Sequence, residues 1–220
     1  MRQALRRAAR GRGKTSPNPM VGAVIVRRGR IIGQGYHQGP GMPHAEVVAL
    51  KAAGGKVSGA TLYTNLEPCC HIDKKTPPCT RALIQRKIRK VVVAMRDPNR
   101  RVCGRGLREL KNAGVQLQEG ILQHEASRLN EAYIKYMTQE RPLVILKAAQ
   151  SLDGKIATAG GESRWITSEP ARAYTHRLRA EVDAVMIGVG TLLLDNPRLT
   201  ARTGVKTARQ PLRIVVDSTL

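Results

Sequence analysis

The sequence has no phenylalanine, one tryptophan and five tyrosines. An aromatic share of 3% leaves Val, Ile, Leu and Ala to fill the interior, and an apolar share of 41% is enough for a packed core. Acidic residues are also scarce: 16 stand against 38 Lys and Arg, for a formal charge of +22. That excess suits an anionic substrate or a polyanionic partner. It equally suits a basic solvated surface, since the cations are spread along the whole chain. No apolar run approaches the roughly 18 residues of a membrane span. The start, Met1-Arg2-Gln3-Ala4-Leu5, has no apolar signal core, so a cytoplasmic protein without a membrane partner is expected. Cysteines number only four: Cys69, Cys70, Cys79 and Cys103. In a reducing compartment, clustered thiols point to metal before disulfide.

Helical and strand periodicities alternate along the chain. Residues 2–14 read as a helix with a basic face, carrying Arg2, Arg6, Arg7, Arg10, Arg12 and Lys14. Strands are expected at Val21–Val26 and Arg30–Tyr36, with a tight turn at Arg28-Gly29. Further strands are expected at Ala60–Leu66, Lys90–Met95 and Val115–Gln118. Helices are expected at His44–Ala53, Thr80–Lys87, Leu107–Ala113 and Gln123–Met137. The pattern restarts near Gln139-Glu140-Arg141-Pro142, which places a domain boundary at about residue 141. Beyond it come a strand at Leu143–Ala148, a helix at Glu169–Ala180, and strands at Ala184–Val189 and Leu212–Val216. This alternation argues for α/β layers. The second part holds few elements and ends on a strand, so the chain reads as a truncated form of something longer.

The strongest motif is His44-Ala45-Glu46, followed by Pro68-Cys69 and Pro77-Pro78-Cys79. A catalytic zinc site needs three protein ligands and an open fourth position, and one imidazole with two thiolates meets that need. Zinc brings the pKa of a bound water to about 7. A proton carrier must then stand beside it, and Glu46 is the candidate. Residues two apart on a helix do not share a face. His44 and Glu46 can both reach a metal that lies off the helix start, which Pro43 favours.

His-Ala-Glu with a downstream Pro-Cys and a second Cys resembles the cytidine-deaminase-like zinc enzymes. The usual spacing is Pro-Cys-x-x-Cys, whereas nine residues separate Cys69 from Cys79 here. That longer loop is similar to the bifunctional riboflavin-biosynthesis deaminase/reductase family. Other carriers of the resemblance are Ser16-Pro17-Asn18-Pro19-Met20-Val21-Gly22, Ala94-Met95-Arg96-Asp97-Pro98-Asn99, Gly104-Arg105-Gly106, Ser151-Leu152-Asp153-Gly154-Lys155, Arg164-Trp165-Ile166-Thr167-Ser168 and Asp195-Asn196-Pro197.

The resemblance implies a three-layer α/β/α deaminase domain over 1–141. Behind it, over 142–220, it implies the N-terminal portion of a dihydrofolate-reductase-like α/β domain. It implies zinc on His44, Cys69 and Cys79, with Glu46 as general acid/base. Cys70 stands where the family often has Ser and takes no ligand role. Asn18, His37, His71, Asp97 and Asn99 would surround a phosphorylated pyrimidine, and Lys74 or Lys75 would meet its phosphate. In the second domain Ala149, Trp165, Thr191, Asp195 and Ser218 would contact NADPH. Ser163, Arg179, Leu199 and Arg202 would contact substrate, and Lys147 is a weaker candidate for assisting the chemistry. Gly188-Val189-Gly190 lacks the third glycine of a dinucleotide fingerprint and reads as a strand end. The implied activity is deamination of a diamino-pyrimidinone ribotide, followed in the full-length enzyme by NADPH-dependent reduction of its ribosyl chain. The chain itself is expected to be deaminase-competent and reductase-deficient. The rival reading is a tRNA or nucleobase deaminase, which the basic charge favours and the long cysteine loop disfavours. Nucleic acid is thus not the expected substrate, and association into homo-oligomers is left open.

Overall fold

The computed structural model describes residues 1–71, 77–204 and 209–219. They form two compact units, Met1–Leu143 and Val144–Leu220.

The first unit is built on a five-stranded sheet in the order β2-β1-β3-β4-β5. Its strands are β1 (Gly22–Arg27), β2 (Arg30–Tyr36), β3 (Thr61–Leu66), β4 (Lys90–Met95) and β5 (Gln116–Glu119). β1 runs antiparallel to β2 and β3, while β3, β4 and β5 are parallel. Helices α1 (Arg2–Ala8), α2 (Ala45–Ala53), α3 (Cys79–Gln85), α4 (Arg105–Asn112), α5 (Gln123–Leu129) and α6 (Glu131–Gln139) complete it. One face of the sheet presents Ile25, Leu62, Val91 and Val93 to Ala49 and Leu50 of α2, Leu83 of α3 and Leu110 of α4. The other gathers Leu66, Ala94 and Met95 against Ala126 of α5, with Met1 and Leu5 alongside. Both faces are therefore covered. This is why β4 reads as an unbroken apolar run rather than an alternation. No aromatic side chain is among the largest fully buried ones.

Small residues set the depth of one contact that matters for the site. A Cβ on Gly35 would lie 2.4 Å from the Ala45 carbonyl, and one on Gly33 would lie 2.3 Å from the Ala49 carbonyl. Bare backbone at these two positions lets α2 lie directly on β2.

Three expectations are corrected in detail. The helix expected over 123–137 is two helices, broken at Asn130, whose buried side chain is engaged elsewhere. The basic helix expected over 2–14 is α-helical only to Ala8, with one tighter turn over Ala9–Gly11. The strand expected at 143–148 does not form: those residues have no regular structure, and Val144, Ile145 and Leu146 are exposed. A strand exists only by pairing, and this run has no ladder partner among the described residues.

The second unit holds α7 (Glu169–Glu181), β6 (Ala184–Gly188), α8 (Val189–Asp195) and β7 (Leu212–Val216). β6 and β7 pair in parallel as a two-stranded sheet. The segment Gly188-Val189-Gly190 ends β6 and opens α8, a helix absent from the sequence-based expectation. Leu199, Ala201 and Pro211 are the buried apolar residues among the unit's described residues, and Met186, Leu212 and Val216 of the sheet are exposed.

Candidate metal centre

The centre lies at the C-terminal ends of β3 and β4, where the loops of a parallel sheet gather ligands. His44 is the N-cap residue of α2, in extended backbone, and Glu46 sits in the first turn of that helix. Leu66 ends β3, and Glu67-Pro68-Cys69 continue from it. Cys79 opens α3. The ligand atoms of His44, Cys69 and Cys79 all lie within 4.8 Å of one another. His44 Nδ1 is 3.5 Å from Cys69 Sγ and 3.4 Å from Cys79 Sγ.

Those separations test the fit of a metal. Tetrahedral zinc, with bonds of about 2.3 Å to sulfur and 2.0–2.1 Å to nitrogen, has N···S edges of about 3.6 Å. One ring nitrogen placed equally near two sulfurs matches such an edge pair. The cysteines are not joined in a disulfide. The Cys79 backbone N–H donates to Cys69 Sγ at 3.3 Å, which favours a thiolate there. The donor set therefore fits zinc.

Glu46 is buried, with Oε2 3.6 Å from Cys79 Sγ. Burial pushes its carboxyl above the usual range, and the Cys69 sulfur adds to the push. A carboxyl so placed holds a proton more readily than one in water.

The neighbouring polar residues fall into two groups. Asn18 Nδ2 lies 3.0 Å from His37 Nε2, and the His37 and His44 rings meet edge to face at 5.4 Å. Asn18 and His37 are thus brought to the metal cluster from the β1 side. Asp97 follows β4 and is buried; its Oδ1 accepts from the Asn99 N–H at 2.9 Å and from the Tyr133 hydroxyl at 2.9 Å. Burial raises the Asp97 carboxyl to about 6, although both hydrogen bonds pull it down. Burial also pushes the Tyr133 phenol up, so it remains a donor. His71 closes the described stretch after Cys70. Lys74 and Lys75 lie outside the described residues.

Sequence reasoning missed the residues that hold this arrangement. The buried Glu67 carboxylate accepts from the N–H groups of Gly104 at 2.9 Å, Leu107 at 3.2 Å and Asp97 at 3.3 Å, fixing the Asp97–Gly104 loop beside the Cys69 segment. Asn130 clamps Met20 from both sides, accepting from its N–H at 2.8 Å and donating to its carbonyl at 3.0 Å. Asn65 Nδ2 donates to the same carbonyl at 2.9 Å. The turn that carries Asn18 is held by these two buried amides. The available signal was a Glu directly before Pro-Cys and two Asn residues inside apolar surroundings, where an unpaired amide would be costly.

In the second unit, a cavity of about 470 Å³ is lined by Lys147, Ala149, Ser163, Trp165, Arg179, Asp195, Leu199 and Arg202, among others. Thr191 and Ser218 do not line it. The residues assigned to cofactor and to substrate therefore share one basic cavity, except for these two.

Two family models match the chain. The cytidine and deoxycytidylate deaminase zinc-binding region covers residues 1–95, and the RibD C-terminal domain covers 142–220. The riboflavin biosynthesis protein RibD of Aquifex aeolicus is 51% identical over 220 residues, 100% of this chain and 61% of the relative. Over its whole length the chain is similar to RibD proteins. RibD of Escherichia coli is 47% identical over 229 residues, 99% of this chain and 62% of the relative. A crystal structure of the diaminohydroxyphosphoribosylaminopyrimidine deaminase/5-amino-6-(5-phosphoribosylamino)uracil reductase of Thermotoga maritima superposes with a TM-score of 0.93 at 45% identity, over 99% of this chain and 62% of that one. The chain thus spans about three fifths of the length of the RibD relatives it matches. Among its described residues, no helix is long and apolar enough to cross a membrane.

Proposed function

We propose that the first unit is a zinc-dependent hydrolytic deaminase of riboflavin biosynthesis. It would convert the diamino-pyrimidinone ribotide to the corresponding aminouracil ribotide, in the cytoplasm. The observation that carries this reading is His44 Nδ1 at near-equal distance from two cysteine sulfurs, with a buried carboxyl 3.6 Å from one of them. When bound, zinc would lower the pKa of a coordinated water.

His44, Cys69 and Cys79 would hold the ion. Glu46 would take one proton from the attacking water to the ring nitrogen, and then carry the remaining hydroxyl proton to the departing amino group. Water supplies the new carbonyl oxygen, the carbon–nitrogen bond breaks, and ammonia leaves. Asn18, His37, Asp97 and Asn99 would orient the heterocycle and ribose, with His71 beside them. Lys74 or Lys75 would pair with the phosphate.

The reading divides the chain into a deaminase domain, 1–141, and the first portion of a reductase domain, 142–220. The 470 Å³ cavity would take NADPH through Ala149, Trp165 and Asp195, and substrate through Ser163, Arg179, Leu199 and Arg202. Thr191 and Ser218 belong to the same assignment. NADPH turnover by this chain is not expected, since a two-stranded sheet gives the cavity little enclosure.

The test is ammonia release from the ribotide, from cytidine and from tRNA, with zinc quantified. Release from the ribotide alone is expected, and Glu46→Gln should keep zinc while losing at least 100-fold in kcat, in line with general acid–base contributions of about 10²–10⁴. Release from cytidine or tRNA instead would overturn the substrate assignment. Loss of zinc in Glu46→Gln would make that residue structural.

A further inference from the structure

The sheet of the first unit has two ends. One carries the metal cluster and Asp97. The other is formed by four connections: the β1–β2 turn and the loops α2–β3, α3–β4 and α4–β5. They are tied side by side. Arg27 pairs with Arg30 across the turn, and its guanidinium donates to the Lys56 carbonyl at 3.2 Å. The Gly59 N–H donates to the Lys87 carbonyl at 2.9 Å, the Arg89 N–H to the Ala60 carbonyl at 3.0 Å, and the Gln116 N–H to the Arg89 carbonyl at 2.9 Å.

Residues 26–31, 51–61, 84–91 and 111–116, which make up this end, contain ten Lys and Arg and no Asp or Glu. Arg28, Arg30, Lys56, Arg86, Lys87 and Arg89 are exposed. The ion pairs among the described residues, Arg96–Glu119, Arg164–Asp195 and Arg209–Asp183, all lie elsewhere. A solvated face interleaves both signs of charge, whereas one sign alone repels itself. The metal site is at the opposite end of the strands, so a substrate phosphate there cannot be what this charge meets.

We propose that this end of the first unit is a docking surface for the phosphate backbone of nucleic acid, bound without regard to sequence. Five adjoining strands, about 4.8 Å apart, give an edge of roughly 19 Å, enough for several successive phosphates. The four segments contain no aromatic residue on which a base could stack. Ile31 is the one large apolar side chain exposed in them, too little for insertion into a lipid surface. Recognition is therefore limited to charge. The surface goes beyond the deaminase reading and does not depend on it, and nucleic acid is bound there as a partner and not as a substrate.

The experiment measures fluorescence anisotropy of a labelled 20-nucleotide RNA with the full chain across 50–200 mM KCl. About four phosphate contacts give a log–log salt slope near −3, which is roughly a 50-fold loss of affinity over that range. The triple variant Arg30→Glu, Lys56→Glu, Arg89→Glu is expected to bind at least ten times more weakly and with a slope nearer −1. A control of equal charge change, Lys155→Glu, Arg177→Glu, Arg213→Glu, should bind like the parent. Zinc content and melting temperature check that each variant folds, and Gln at the same three positions carries the test if the Glu variant does not. Equal weakening by both variants would assign the binding to net charge and overturn the proposal. Binding to phosphatidylserine vesicles without binding to RNA would overturn it as well.

Discussion

Asp97 shows how one buried side chain reports on its surroundings. Its carboxyl is raised from 3.8 to about 6, so the folded chain holds that proton more tightly than the unfolded chain does. Stability from this group is present in full below pH 4 and is lost as pH rises through 6. By linkage the loss amounts to about 3 kcal/mol. Asp97→Asn keeps the acceptor used by Tyr133 and Asn99 and removes the charge. The variant should therefore gain stability over the parent at pH 7.5 and lose most of that advantage at pH 4. Urea unfolding at both pH values is the measurement, and an advantage independent of pH would show that the charge is not the cause. Residues of this kind were only half legible. Asp97 was singled out by resemblance, whereas Glu67, Tyr133 and Asn130 were not, because their partners are remote in sequence: Tyr133 lies 36 positions from Asp97 and Asn130 lies 110 from Met20. Periodicity reports which way a residue faces and not what it meets there.

At the scale of elements, the close seating of α2 on β2 places both His44 and Glu46. Gly35→Ala would put a methyl 2.4 Å from the Ala45 carbonyl, so α2 must move outward. Overpacking of this sort costs about 1–3 kcal/mol. Zinc affinity should fall with it, since the imidazole shifts while the two sulfurs, on other segments, do not. A zinc competition assay beside a melting curve tests this, with Gly55→Ala as control because open space surrounds that position. A variant with unchanged zinc affinity would show that the helix start adjusts independently of its body. β1 and β4 were legible because their apolar runs are buried on both sides and bounded by turns. The run at 143–148 has the same composition, but strand formation needs a neighbour, which composition cannot supply. α8 was hidden by glycines at its start, and the break at Asn130 by an apolar pattern that continues through it.

At the scale of the molecule, metal and core are both concentrated in the first unit. The ligands come from the start of α2, the segment after β3 and the start of α3, so the ion closes loops that are far apart in sequence. A ligand present at a thousandfold its dissociation constant stabilises the folded form by about 4 kcal/mol. Chelation should lower the melting temperature of the first unit accordingly, read by far-ultraviolet circular dichroism, and added zinc should restore it. No shift on chelation would place the ion's contribution outside folding. The lone indole, Trp165, belongs to the second unit and is largely exposed beside the Arg172 guanidinium. With phenylalanine absent, the first unit's ultraviolet chromophores are a handful of phenols. Emission excited at the red edge of the absorption band therefore comes from one half of the chain alone. A sample can glow normally while the half that grips the ion has already come apart.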